Sequence, residues 1–325
     1  MTRLPSADCE PVTTNGTIAV ANLHAQIAGL AARACPAPPS QAAAPLAVAT
    51  QALLVDLLTL RGETLGRIAD HEHAAELADE LVNDAPEDGR AWLARARTRA
   101  TFHRFTGAMA DLETAGQNGV DRATVDAERA PVLQAVGCYW HALVLCEDAA
   151  KRRPGFTTLG ALAVLQAERG EVAQAETLFD QARSCYQDIS PFPLASLDYR
   201  RGLMWLGQGD LPAARSWFAA AQRRVPAYAP ALAHLAEADA ALGHPQDAIS
   251  RLRPLVSSSD DPHYAASLAR VLGAVGCHQE ARRWHDRAAA RHAELILRHP
   301  EAFAHHAADF RPDEAEPPAR FAQAS

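Results

Sequence analysis

The feature that most constrains this chain is a pattern that returns in fixed register. The segment AVGCYWHALVLCEDAAKRRP carries Gly137, Ala142, Cys146, Ala149 and Pro154. The segment LGQGDLPAARSWFAAAQRRVP carries Gly209, Ala214, Phe218, Ala221 and Pro226, with identical intervals between them. Apolar positions three and four apart share one face of a helix. Small residues on that face let a second helix approach closely, and a larger residue fills the space between neighbours. Proline placed beyond the last turn stops the helix where its missing N–H costs nothing, and glycine serves the turn before it.

The same register extends in both directions. Ala74, Ala78, Leu81 and Pro86 fit it, as do Ala108, Leu112 and Ala115. Downstream come Gly170, Ala175, Phe179 and Ala182, then Gly243, Ala248 and Leu252, then Gly276, Ala281, His285 and Ala288. Each copy is preceded by a second apolar helical stretch, marked by Leu58, Trp92, Leu159, Trp205, Leu235 or Leu268. Seven units therefore begin near residues 55, 89, 123, 156, 195, 229 and 262. The spacing of 33 or 34 residues breaks once, to 39, at Tyr186–Ala195, which predicts a longer loop stiffened by Pro191 and Pro193.

This pattern resembles the tetratricopeptide repeat, a 34-residue helix–turn–helix unit with A-x3-F and a closing proline in its second helix. The resemblance implies an all-α, right-handed superhelical solenoid of antiparallel helix pairs over residues 55–298. Residues 17–54 are expected to supply capping helices at the start and 299–310 one at the end, with disordered tails at 1–16 and 311–325. In the first of these, Ile18, Ala21, Ile27, Leu30 and Ala31 are able to share a face. Pro131 falls inside a first helix and predicts a kink or a shortened element there. Tryptophans at helical spacing within units, including Trp140, Trp217 and Trp284, read as core.

Members of this family bind other proteins along the face made by the first helices. The second, fifth, ninth, twelfth and thirteenth positions of each unit point into that groove, with the sixth close by. Carried onto this sequence, the resemblance places there Arg90, Arg97, Glu128, Gln134, Glu168, Tyr199, Arg200, His234, Glu237, His263 and Arg270. It implies a scaffold or adaptor holding a peptide or partner protein, with the arginines meeting acidic side chains. The lysine and asparagine set with which some members hold a C-terminal carboxylate is missing, since the matching positions are Leu93, Arg97, Glu128, Thr157 and Ala161.

Charge bounds the alternatives. Acidic residues outnumber basic ones by 39 to 31, a net charge of -8, so no broad basic surface is expected for a nucleic acid. Six cysteines without a C-x-x-C pair fit reduced thiols in a cytoplasm. The opening MTRLPSADCEPVTTNG lacks a secretory layout, and no long uncharged apolar stretch suggests membrane insertion. No G-x-S-x-G, H-E-x-x-H or phosphate loop marks a catalyst, and no cofactor is implied. The rival reading is an accessory subunit of an enzyme or metal-handling system, with His305, His306 and Asp309 as ligands, His305 and Asp309 being one helical turn apart.

Overall fold

The computed structural model describes residues 11–34 and 45–304. They form sixteen helices and no strand: α1 (Gly16–Ala34), α2 (Pro45–Leu65), α3 (Ile68–Asp84), α4 (Gly89–Thr101), α5 (Phe105–Gln117), α6 (Arg122–Ala135), α7 (Tyr139–Arg152), α8 (Phe156–Glu168), α9 (Val172–Ser184), α10 (Phe192–Gly207), α11 (Leu211–Arg224), α12 (Ala229–Ala241), α13 (Pro245–Ser258), α14 (Pro262–Ala274), α15 (His278–Arg298) and α16 (Pro300–Phe303). From α2 to α15 these are seven consecutive helix pairs, an all-α solenoid. No helix among the described residues is long and apolar enough to cross a membrane.

Local chemistry explains the pairs. The turn inside six of them reverses at a glycine in the left-handed region, Gly66, Gly137, Gly170, Gly209, Gly243 and Gly276. In the second pair His103 takes that conformation with a φ of 57°. The alanines of the second helices, Ala74, Ala78, Ala108, Ala115, Ala142, Ala175, Ala182, Ala214, Ala221 and Ala248, lose all contact with solvent. Beside them Leu81, Phe179, Phe218 and Leu252 fill the spaces between helices. Four helices begin at an aspartate whose carboxylate accepts the N–H of the first turn: Asp88, Asp121, Asp210 and Asp261.

Buried ion pairs fasten particular helices together. Asp111 of α5 receives both Arg95 and Arg99 of α4, and Asp70 of α3 receives Arg61 of α2. Asp198 of α10 bonds Arg224 of α11. Asp239 of α12, fully buried, is held by Arg215 of α11 at 2.6 Å and Arg251 of α13 at 2.9 Å.

Two compact units share the chain. The described residues 18–34, 45–63 and 67–186 form the N-terminal unit. Residues 11–17, 64–66 and 187–304 form the C-terminal unit.

Several expectations differ from what forms. α2 runs unbroken from Pro45 to Leu65, across the predicted start of the first unit at residue 55, because Val48, Leu54, Val55 and Leu58 all become core. On α1 the buried stripe is Ala19, Leu23, Ile27 and Leu30; Ile18, Ala21 and Ala31 lie outside it and face solvent. α6 continues through Pro131 to a full fourteen residues. The long connection is residues 185–191, for Pro193 sits in the first turn of α10, where a proline is tolerated. Trp217 is core, whereas Trp140 is 70% exposed beside Tyr139, Val136 and Val144. Of the predicted C-terminal cap, α16 is the described part; residues 305–310, with His305, His306 and Asp309, lie outside the described residues, as do 1–10 and 311–325.

Candidate functional site

The first helices of successive pairs bring the predicted groove residues into two separate groups, one in each unit. In the N-terminal unit Arg97 of α4 is the centre. Its guanidinium donates to Glu128 of α6 at 2.8 Å and to Asp56 of α2 at 2.9 Å. Burial works against the charge of Arg97, but the two carboxylates outweigh it and raise its pKa. Arg97 thus ties three consecutive first helices together, with neither acid left over for a ligand. Arg90 is turned away from a common site: it closes on Asp88, the residue that caps its own helix, at 2.6 Å. Gln134 is half-buried in the last turn of α6, and Glu168 is the exposed last residue of α8.

In the C-terminal unit the centre is Glu237 of α12. Nδ1 of His234 lies 3.1 Å from its carboxylate, the Ser267 hydroxyl donates to it at 2.8 Å, and Arg270 of α14 stands 3.7 Å away. His234 stacks on Phe218 at 5.3 Å and lies 5.6 Å from Tyr199, ring centre to ring centre. Tyr199 in turn meets Tyr228 edge-on. His263 is drawn to Asp261, which caps α14, and its ring lies 6.5 Å from that of buried His292. Arg200, next to Tyr199, is exposed and makes no ion pair among the described residues.

Burial pushes the Glu237 carboxyl up. The hydrogen bond and charge of His234, the charge of Arg270 and the Ser267 hydroxyl outweigh that and hold it at about 2. A carboxyl held below its ordinary 4.5 adds stability above that value and loses it as the pH falls through about 2. The expected result is a gap in unfolding free energy between the native chain and Glu237→Gln of up to about 3 kcal/mol at neutral pH, shrinking to nothing between pH 4.5 and 2. Denaturant titrations across that range measure it, and a gap independent of pH contradicts the assignment.

Sequence reasoning missed the partners that neutralise this face. Ser267 stands at the sixth position of its unit, the position that also holds Glu128, Arg200 and His234, so its place was legible. Asp56 stands at a groove position too, in the first unit. What sequence does not announce is that these residues satisfy one another across pairs. Among the described residues no group of three His, Cys, Asp or Glu side chains is arranged to hold a metal ion.

The fold and this face define a class: a tandem helix-pair array whose first helices carry a polar, internally paired surface. Residues 206–271 match the model of the tetratricopeptide repeat. Solved structures similar in fold include Cut9 with Hcn1 of the APC/C hetero-tetramer, at 17% identity and a TM-score of 0.52 over 90% of this chain. Another is the human IFIT1 dimer with PPP-AAAA, at 15% identity and a TM-score of 0.57 over 77% of this chain. The chain spans 52% and 64% of those two chains. No curated protein matches the sequence.

Proposed function

We propose that this protein is an interaction scaffold, without catalytic activity of its own, that works inside the cell and holds a segment of another protein on the first-helix face of its C-terminal unit. Repeat arrays of this family support protein interaction in general; the choice of face and of ligand chemistry is our reading. Arg200 carries it. Of the four arginines that the sequence nominates, Arg97 is consumed by two carboxylates, Arg90 by its helix cap and Arg270 in part by Glu237. Arg200 alone of the four presents its guanidinium to solvent without an ion pair among the described residues, beside the half-buried ring of Tyr199. An acidic side chain of a partner fits that position, and the tyrosine supplies a rigid apolar contact at its side.

A net charge of -8 and this internal neutralisation favour a protein partner over a nucleic acid, although one fold relative, human IFIT1, is seen with PPP-AAAA. Capture by the full chain from nuclease-treated lysate, compared with Arg200→Glu, tests the reading. We expect retention of the partner to fall at least tenfold with helicity unchanged, since reversal turns an attraction into a repulsion. Undiminished retention, or retention that nuclease treatment abolishes, overturns it.

A further inference from the structure

The chain holds its own N-terminal segment in a place that nothing above explains. The α9–α10 connection has seven residues, against three or four in the other links from one pair to the next. Its shape is fixed from within, because the Asp188 carboxylate accepts the N–H groups of Ile189 and Ser190. That leaves the Ile189 carbonyl free to accept the N–H of Thr14 at 2.8 Å. Residues 11–15 form no helix, and Asn15 ends the stretch by capping α1, its side chain accepting from Thr17 N–H at 2.9 Å.

Two residues past Thr14, Gly16 is buried against the turn between α11 and α12. A Cβ added there would meet the Arg224 carbonyl oxygen, lie 2.8 Å from the Val225 Cα and 3.0 Å from the Pro226 ring. The first two of those atoms are backbone and cannot rotate aside, so only glycine fits. Val225 itself is fully buried, so the wall is rigid. The side chains of Val12 and Ile189, by contrast, remain 89% and 70% exposed, and apolar contact between them is not what seats the segment.

We propose that the α9–α10 connection and the α11–α12 turn form a cradle for a non-helical peptide segment and the first helical residue that follows it, read by the main chain, and that residues 12–16 are its resident occupant. The ligand class is set by two demands at fixed spacing: a free N–H to meet the Ile189 carbonyl, and a glycine two residues later. Thr14 and Gly16 meet both. The long connection thereby gains a role that its sequence alone leaves unassigned, and the segment acts as an intramolecular clasp on the C-terminal unit.

Hydrogen exchange on the full-length chain tests this with two variants that break different contacts. Thr14→Pro deletes the donated N–H without adding bulk at the turn. Gly16→Val keeps the N–H and collides with the turn. In the native chain the amides of residues 12–16 are expected to exchange at least about tenfold more slowly than in either variant, the scale of one lost hydrogen bond with its packing. Residues 187–191 and 225–228 lose protection in parallel, while α11 and α12 keep theirs. Free-chain exchange of residues 12–16 in the native protein overturns the proposal, and so does unchanged protection of both loops in both variants.

Discussion

Asp239→Ala is expected to destabilise the C-terminal unit by about 3 kcal/mol, the lower part of the range for removing one partner of a buried ion pair. Asp239 is fully buried, and each of its oxygens takes a separate arginine, Arg215 from the helix before and Arg251 from the helix after. Removing the carboxylate leaves two cations facing a space they were drawn to fill. Their side chains remain 37% and 27% exposed, so solvent relieves part of the penalty and keeps the loss at the lower end. Arg251 also retains Gln222, whose side-chain oxygen lies 3.3 Å away. Asp239→Asn preserves the shape and one acceptor and is expected to lose less. Urea unfolding followed by circular dichroism measures both, and a loss below about 0.5 kcal/mol, the range of ordinary surface changes, contradicts the pairing.

Phe218→Ala is expected to cost about 3 to 5 kcal/mol, the range for truncating a buried aromatic. Phe218 has no exposed surface, stacks on His234, lies 5.8 Å from Tyr199 and covers Gly202 of α10. The last contact provides an internal control. A Cβ at Gly202 would sit 2.5 Å from the Phe218 ring, so Gly202→Ala is destabilising in the native chain and better tolerated once the ring is gone. Thermal unfolding of the two single variants and the double variant reads the coupling. Strict additivity shows that the two positions do not touch. Because neighbouring pairs stabilise one another, the loss spreads along the C-terminal unit and is not confined to α11.

The parts legible in the sequence were those fixed by local spacing. Gly209, Ala214, Phe218, Ala221 and Pro226 specify a turn, a close approach, a filled gap and a stop within eighteen residues, and each performs that task. Helix starts at Gly89, Phe156, Ala229 and Pro262 coincide with the repeat spacing for the same reason. What escaped was set by neighbours distant in sequence. Ala21 and Leu23 of α1 are equally compatible with an apolar face, and the residues packed against the helix decide that Leu23 is buried. Trp140 fits the register of a second helix, yet at its position on α7 nothing among the described residues covers it.

The site was legible as positions and not as chemistry. Position along the first helix placed Arg97, Glu128, His234, Glu237 and Arg270 on one kind of surface. Whether a charge there faces a ligand or a neighbouring helix depends on the lateral distance between pairs, which spacing does not encode. At 2.8 Å Glu128 belongs to Arg97, and at 2.8 Å Glu237 belongs to Ser267. Arg200 differs because it makes no ion pair among the described residues.

Hydrogen exchange on the complex with a captured partner tests the interaction reading most directly, because it reports which helices the partner covers. We expect slowed exchange in α10, α12 and α14, centred on the turns around Tyr199 and Arg200, and loss of that footprint in Arg200→Glu. A footprint confined to the second helices, such as α7 around Trp140, places the partner on the opposite side of the helix pairs and contradicts the account.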